Sequence, residues 1–223
     1  LPYLGYWQLI NSVDKFVLYD NIQFSKKGWF HRNNILLNNK KTLFSIPLKK
    51  DSDFLNVIDR SLAENSKKDI EKIISKIEHS YKKAPHFKEI LPLIKEILLF
   101  KEDNLFRYIY NSIIQICQYL GINTTIIISS TLNIDHNLKA QEKVLTINKY
   151  LNGTEYINPI GGISLYNFEE FNKNNIKLSF LESSLPEYKQ FNDIFCPYLS
   201  IIDILMFNDK KEIKEMLNKF KLV

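Results

Sequence analysis

Apolar residues recur along this chain with two different periods, and the switch between them divides it into parts. Phe16, Val17 and Leu18 form an unbroken β-prone run, the pattern of a strand buried on both faces. Ahead of it, Leu4, Leu9, Ile10 and Val13 mark a short helix. Residues 42–48, TLFSIPL, read as a second strand, with Pro47 at its end or on an edge because proline has no N–H for a neighbouring strand. Strand patterns then stop until residue 124. Across 66–120 the period is helical: Ile70, Ile73, Ile74 and Ile77 share one face, and Phe106, Ile109, Tyr110, Ile113, Ile114, Cys117 and Leu120 share another. Helices are expected at 67–80, 86–100 and 103–120, the last closed by Gly121.

From 124 the two periods alternate. Thr124–Ile128 reads as a buried strand, 137–151 as a helix capped by Asp135, Tyr156-Ile157 as a strand, Phe168–Asn174 as a helix and Leu178–Leu181 as a strand. Leu199–Phe207 and Lys210–Phe220 read as two closing helices. The expected fold is a single α/β domain over 1–223, a Rossmann-like doubly wound, mostly parallel sheet with a helical insertion at about 66–120 and two C-terminal helices. A helix that opens a parallel unit ordinarily follows a strand, so a short apolar strand is expected ahead of Leu1.

Composition changes this picture little. A chain of 223 residues, 45% hydrophobic and 25% charged, has enough apolar surface for a sizeable core. No apolar run reaches the roughly 20 residues that cross a bilayer, so no membrane insertion is expected. The net charge of +5 comes without a dense Lys/Arg block, which argues against a nucleic acid duplex as partner. Cys117 and Cys196 lie far apart in apolar surroundings and read as buried thiols. His31, His79, His86 and His136 show no ligand spacing, so a cytoplasmic protein without a structural metal is expected; the sequence names no particular cofactor and leaves that question open.

Candidate chemistry falls in three clusters. The first follows the opening strand: Asp20, Gln23, Lys27, Trp29, His31, Arg32 and Asn33, with Tyr6 from the preceding helix. In an open α/β sheet this is where ligands sit. Only three of the 30 basic residues are arginines, and a guanidinium grips carboxylate or phosphate in a fork that lysine cannot copy. Arg32 therefore reads as a ligand grip or as the tie of its own loop. His31 is a candidate general base near neutral pH, and so is Asp20. The second cluster is Asn158 with Gly161-Gly162 and Tyr166, where glycine amides can approach a phosphate or a carbonyl oxygen, or simply form a tight turn. The third holds Tyr188, Gln190 and Asp203; a carboxylate between Ile202 and Ile204 is either on a narrow solvent face or held inside by a partner.

Three segments, LPYLGYWQLINSVDKFVLYDNIQFSKKGWFHRNNILL, TEYINPIGGISLY and CPYLSIIDILMFND, together resemble the WbqC-like family of bacteria. That family's N-terminal pattern is approximately QPxxxPYxGYxxLI…aDxFVxxDxxQ…K…W…NRNxI, followed by YxNxxGG…LY and LSIIDxL, in this order along the chain. The chain departs from it at His31, where many members have Asn before the Arg. The resemblance implies a role in O-antigen or other surface-polysaccharide (lipopolysaccharide) biosynthesis, as a glycine (aminoacyl) or acyl transferase acting on an amino sugar, nucleotide-linked in our reading. The opening segment also looks distantly like the first unit of nucleotidylyltransferases, ending in Gln23-Phe24, but Tyr3-Leu4-Gly5-Tyr6 stands where their HxGH would be. A nucleotidylyltransferase-like enzyme and a non-catalytic sugar-nucleotide-binding protein are the alternatives.

Overall fold

A computed structural model describes all of residues 1–223. Helix α1 (Leu4–Asn11) leads into β1 (Lys15–Leu18), and β2 (Arg32–Leu37) and β3 (Lys40–Ser45) follow as a hairpin. Helices α2 (Ser66–Tyr81), α3 (Phe87–Leu98) and α4 (Leu105–Leu120) come next, where the helical period places them. Then β4 (Thr125–Ile128), α5 (Ala140–Tyr150), β5 (Glu155–Pro159), α6 (Phe168–Lys173) and β6 (Lys177–Ser183) alternate. Helices α7 (Ile201–Phe207) and α8 (Lys210–Leu217) and a last strand, β7 (Phe220–Leu222), close the chain.

The molecule is mixed α/β, but its strands form three small sheets in place of one doubly wound sheet. β1 pairs in parallel with β4 alone, β5–β6–β7 form a separate sheet that is parallel and then antiparallel, and β2–β3 stand apart. With one strand neighbour each, β1 and β4 are mostly half-buried and not enclosed on both faces as the apolar run suggests. The hairpin is the larger departure, because β2 occupies sequence expected to be a binding loop. Its turn is Asn38-Asn39, both with positive φ (50° and 58°), the backbone that a two-residue hairpin requires and asparagine tolerates. The helix after β4 also starts later than expected: Asp135 accepts from the Asn137 N–H at 2.9 Å in a local turn, and α5 begins only at Ala140.

Two cores support these elements. The larger contains 38 buried residues, most of them from α1, the hairpin, α2–α4, α7 and α8. Ile73, Ile77, Ile90, Ile94, Ile97, Ile113 and Ile116 are buried where the helical stripes meet, each worth roughly 1.5–3 kcal/mol of transfer free energy. Gly121, at φ 69° and ψ 36°, ends α4 and lets the Ile122 N–H reach the Cys117 carbonyl at 2.9 Å. The smaller core, Val144, Phe171, Ile176, Leu178 and Phe180, lies between α5, α6 and the β5–β6 sheet. No helix is long and apolar enough to cross a membrane.

Candidate functional site

The parallel register Leu18↔Ile128 brings the chain out of β1 and β4 side by side, so polar residues that follow each strand meet at the carboxyl edge. Asp20, fully buried, accepts from the Ser130 N–H at 2.9 Å through one carboxylate oxygen and from the Ser130 hydroxyl at 2.5 Å through the other. Asn21 is the hub beside it. Its Oδ1 accepts from the Ser129 hydroxyl at 3.0 Å and from the Lys143 ammonium at 3.1 Å. Its Nδ2 donates to His136 Nδ1 at 3.0 Å, while His136 Nε2 donates to the Leu132 carbonyl at 2.9 Å.

Lys143 reaches this edge from α5 and is only 6% exposed. Burial pushes its ammonium below the ordinary lysine range, and Asp20 pulls it back up. Its Nζ lies 5.4 Å from the centre of the Tyr19 ring. Three N–H donors meet one side-chain acceptor, Asn21, so the ammonium keeps unused capacity. The Tyr19 hydroxyl is buried and has no partner at all.

Residues of β5 and of the turn after it lie beside Tyr19. The hydroxyls of Tyr156 and Tyr166 are 3.0 Å apart, and Asn158 Nδ2 donates to them at 2.6 and 3.3 Å. Phe171 of the smaller core packs against both rings, at 5.7 and 5.8 Å, and holds them in place. Tyr19 is close enough to this pair that Tyr166 raises its pKa, and it in turn raises that of Tyr156. Burial is the first cause of both shifts, so these phenols stay protonated at neutral pH. Between Asn158 and Tyr166 the chain makes a 3₁₀ turn, Ile160–Leu165, in which Gly162 is pressed against the Asn158 side chain.

Of the residues singled out in the sequence, this crevice gathers Asp20, Asn158, Gly161, Gly162 and Tyr166. A second group forms a closed knot elsewhere. Asp203 is fully buried and accepts from the Tyr81 hydroxyl at 2.8 Å, the Tyr188 hydroxyl at 2.7 Å and the Gln190 amide at 2.7 Å. Burial raises its carboxyl above the usual range while these three bonds pull it down. Tyr81 also accepts from the Leu36 N–H, which ties the knot to β2.

The third group holds loops and chain ends. Arg32 donates through Nε to the Gly28 carbonyl at 3.0 Å and through Nη2 to the Lys27 carbonyl, and lies 5.3 Å from the centre of the exposed Trp29 ring. Gln23 donates to the Asp53 carbonyl, and Asn33 donates to the Leu1 carbonyl. Tyr6 packs on Phe16 and Trp7, with centroids at 5.5 and 6.2 Å. His31 lies against Phe24 with its Nδ1 buried and unpartnered, and burial, then Arg32 and Arg60, lower its pKa. No hydrogen bond connects His31 or Arg32 to the strand-end crevice.

Sequence reasoning missed Tyr19, Asn21, Ser129, Ser130 and Lys143, and weighed His136 only as a metal ligand. A usable signal existed in Ser129-Ser130, two small hydroxyl residues directly after an apolar strand. Lys143 had none, being one lysine among many on a helix.

Fold and crevice together define a mixed α/β protein whose polar residues converge at the carboxyl ends of parallel strands. The chain belongs to the WbqC-like protein family, whose model matches residues 1–215. It is also similar to the uncharacterized protein Rv1507c of Mycobacterium tuberculosis (strain ATCC 25618 / H37Rv), at 27% identity over 208 residues, covering 92% of this chain and 88% of that protein. No solved structure matches it.

Proposed function

We propose that the protein transfers an acyl group, glycyl in the first instance, to the amine of a nucleotide-linked amino sugar, and that the strand-end crevice is where this happens. The observation that carries the reading is the spare capacity of the Lys143 ammonium and the Tyr19 hydroxyl, two donors built into one wall and not used up by the protein. Buried donors without acceptors are costly, and a ligand that supplies the acceptors recovers that cost. The ligand class itself is the one that the resemblance of the sequence motifs implies.

In this reading Lys143 holds an anionic group of the sugar nucleotide, and the Tyr19 hydroxyl donates to the acyl oxygen as negative charge develops on it. The amine nitrogen attacks the acyl carbon of an activated ester, thioester or acyl phosphate, and a C–N bond forms. The bond to the leaving group breaks and its electron pair departs with that group. The proton released by the amine leaves with the departing group, while Asp20, buried with both oxygens on Ser130, positions the wall behind the reacting atoms and does not itself reach the amine.

A thermal-shift screen of sugar nucleotides, free nucleotides and aminoacyl donors tests the reading, since ligand at 100 times its Kd adds about 2.7 kcal/mol of stability. Hits are then incubated with an activated glycyl donor and examined by mass spectrometry for gain of one glycyl residue. Binding that Lys143→Met leaves unchanged rejects the crevice, and binding without transfer under any donor rejects the reaction.

A further inference from the structure

The six glycines divide unequally. Gly121 needs its left-handed backbone, and at Gly5, Gly28, Gly153 and Gly162 an added Cβ would meet a heavy atom at 3.1 Å or closer. Gly161 has neither reason. Its φ is not positive, and nothing lies within 4 Å of where a Cβ would stand. Glycine is also an unfavourable choice in a helical turn, because it loses more backbone freedom on ordering than alanine does. Space kept open beside a bare backbone is what a closely approaching ligand uses.

A second observation comes from the same turn. Ile160, Ile163, Leu165 and Phe168 are all exposed, Leu165 at 66% and Ile163 at 47%, where a connecting loop would ordinarily carry polar residues. Immediately behind them stand Asn158 and the two tyrosine hydroxyls, 3.0 Å apart. An aliphatic lip in front of a compact set of neutral donors and acceptors is complementary to one chemical class. A pyranose has an apolar face of C–H groups and a rim of hydroxyls one hydrogen-bond length apart. A carboxylate or phosphate would find no charge among Asn158, Tyr156 and Tyr166, and the one exposed ring of the lip, Phe168, packs edge-on against Phe180 at 5.8 Å.

We infer that the Ile160–Leu165 turn is a sugar-ring subsite, in which the ring's apolar face packs on the Gly161 backbone and the side chains of Ile163 and Leu165, and its hydroxyls reach Asn158, Tyr156 and Tyr166. The inference rests on the reading given under Proposed function, because it places the sugar of that ligand, while Lys143 takes its phosphates.

The test uses the full chain, a panel of UDP-, dTDP- and GDP-linked amino sugars and the matching free diphosphates, with Kd from calorimetry. Gly161→Ala adds a methyl into open space, so the unliganded melting temperature should hold or rise slightly. Affinity for the sugar nucleotide should fall about tenfold, the effect of forcing one extra methyl into a filled contact, with the free diphosphate unaffected. Leu165→Ser, at an exposed position, should weaken the sugar nucleotide in the same selective way. Equal affinities for wild type and both variants overturn the subsite while leaving Lys143 and the reaction standing. Equal weakening of sugar nucleotide and free diphosphate also overturns it, since the turn would then contact the nucleotide part. If the wild type binds no member of the panel, both readings fall.

Discussion

The Asp203 knot and the strand-end crevice are built from the same parts, a buried carboxylate, tyrosine hydroxyls and a side-chain amide, and they end in opposite states. In the knot every strong group has its partner: three donors converge on Asp203, and Gln190 also accepts from the Cys196 N–H at 2.8 Å. In the crevice the carboxylate is satisfied by Ser130, but the Tyr19 hydroxyl has no partner and Lys143 has one. A closed network stabilises one arrangement of the chain. An open one keeps free-energy reserves that only a ligand can draw on. Polar residues in apolar surroundings are therefore ambiguous until their partners are counted.

The largest expected effect is on the closed side. Asp203→Ala leaves two hydroxyls and one of the two Gln190 amide N–H groups without an acceptor, the other staying on the Cys196 carbonyl, at about 1–3 kcal/mol for each stranded group, so a loss on the order of 3 kcal/mol or more is expected in urea unfolding. Affinity of the folded fraction for crevice ligands should stay the same; a drop would show that the knot belongs to the site. Its pH dependence is a companion test. The folded carboxyl titrates above its ordinary value of 3.8, so the stability that its protonation contributes is fully present below that value and lost as pH rises through the raised pKa. The stability difference between wild type and Asp203→Asn should shrink over that interval, and a flat difference would refute the assignment.

On the open side, Lys143→Met should weaken a diphosphate-linked ligand by about tenfold to a hundredfold, the range for hydrogen bonds to a charged group. Little stability should be lost, because a half-satisfied buried ammonium is exchanged for an apolar side chain of similar length. Calorimetric titration and a melting curve on one preparation check both halves. Arg32→Lys should behave in the reverse sense, losing about 1 kcal/mol of stability because an ammonium cannot bond two carbonyls and cover Trp29 at once. Affinity lost at constant melting temperature would move the 24–31 loop into the site.

The three long helices and the β4–α5–β5–α6–β6 alternation were legible because their apolar periods are long and regular. Sheet closure was not, since period alone does not say which edges pair. The β2–β3 hairpin was readable in principle from Asn38-Asn39 between two strand-like runs, but the neighbouring Trp29, His31 and Arg32 drew the reading towards a ligand. Rarity misled in the same way. Arg32 and Arg60 each bond two backbone carbonyls, a task that suits a forked guanidinium as well as any phosphate does. Asp203 was half legible: its apolar neighbours left either a narrow solvent face or an internal partner, and the structure shows the partner. Lys143 was invisible, since only tertiary packing distinguishes it from the solvated lysines around it.

The smallest expected change is the sharpest test, because it sets one chemical edit against itself in the two regions. Tyr188→Phe and Tyr19→Phe each remove a single phenolic oxygen. At Tyr188 that oxygen donates to Asp203 at 2.7 Å, and its loss leaves a buried carboxylate one donor short, so a destabilisation of about 1.5–3 kcal/mol is expected with ligand affinity intact. At Tyr19 the oxygen is buried and bonded to nothing, so phenylalanine removes a desolvated group and stability should hold or rise by a few tenths of a kcal/mol. Its cost should appear only when the ligand is present, as a loss of affinity or of transfer rate. If Tyr19→Phe destabilises the free protein as Tyr188→Phe does, the hydroxyl has a partner in solution, an ordered water included, and the crevice is as closed as the knot. If Tyr19→Phe leaves stability, binding and transfer all untouched, its spare hydroxyl is unrelated to function, and Lys143 alone would have to carry the argument for the site.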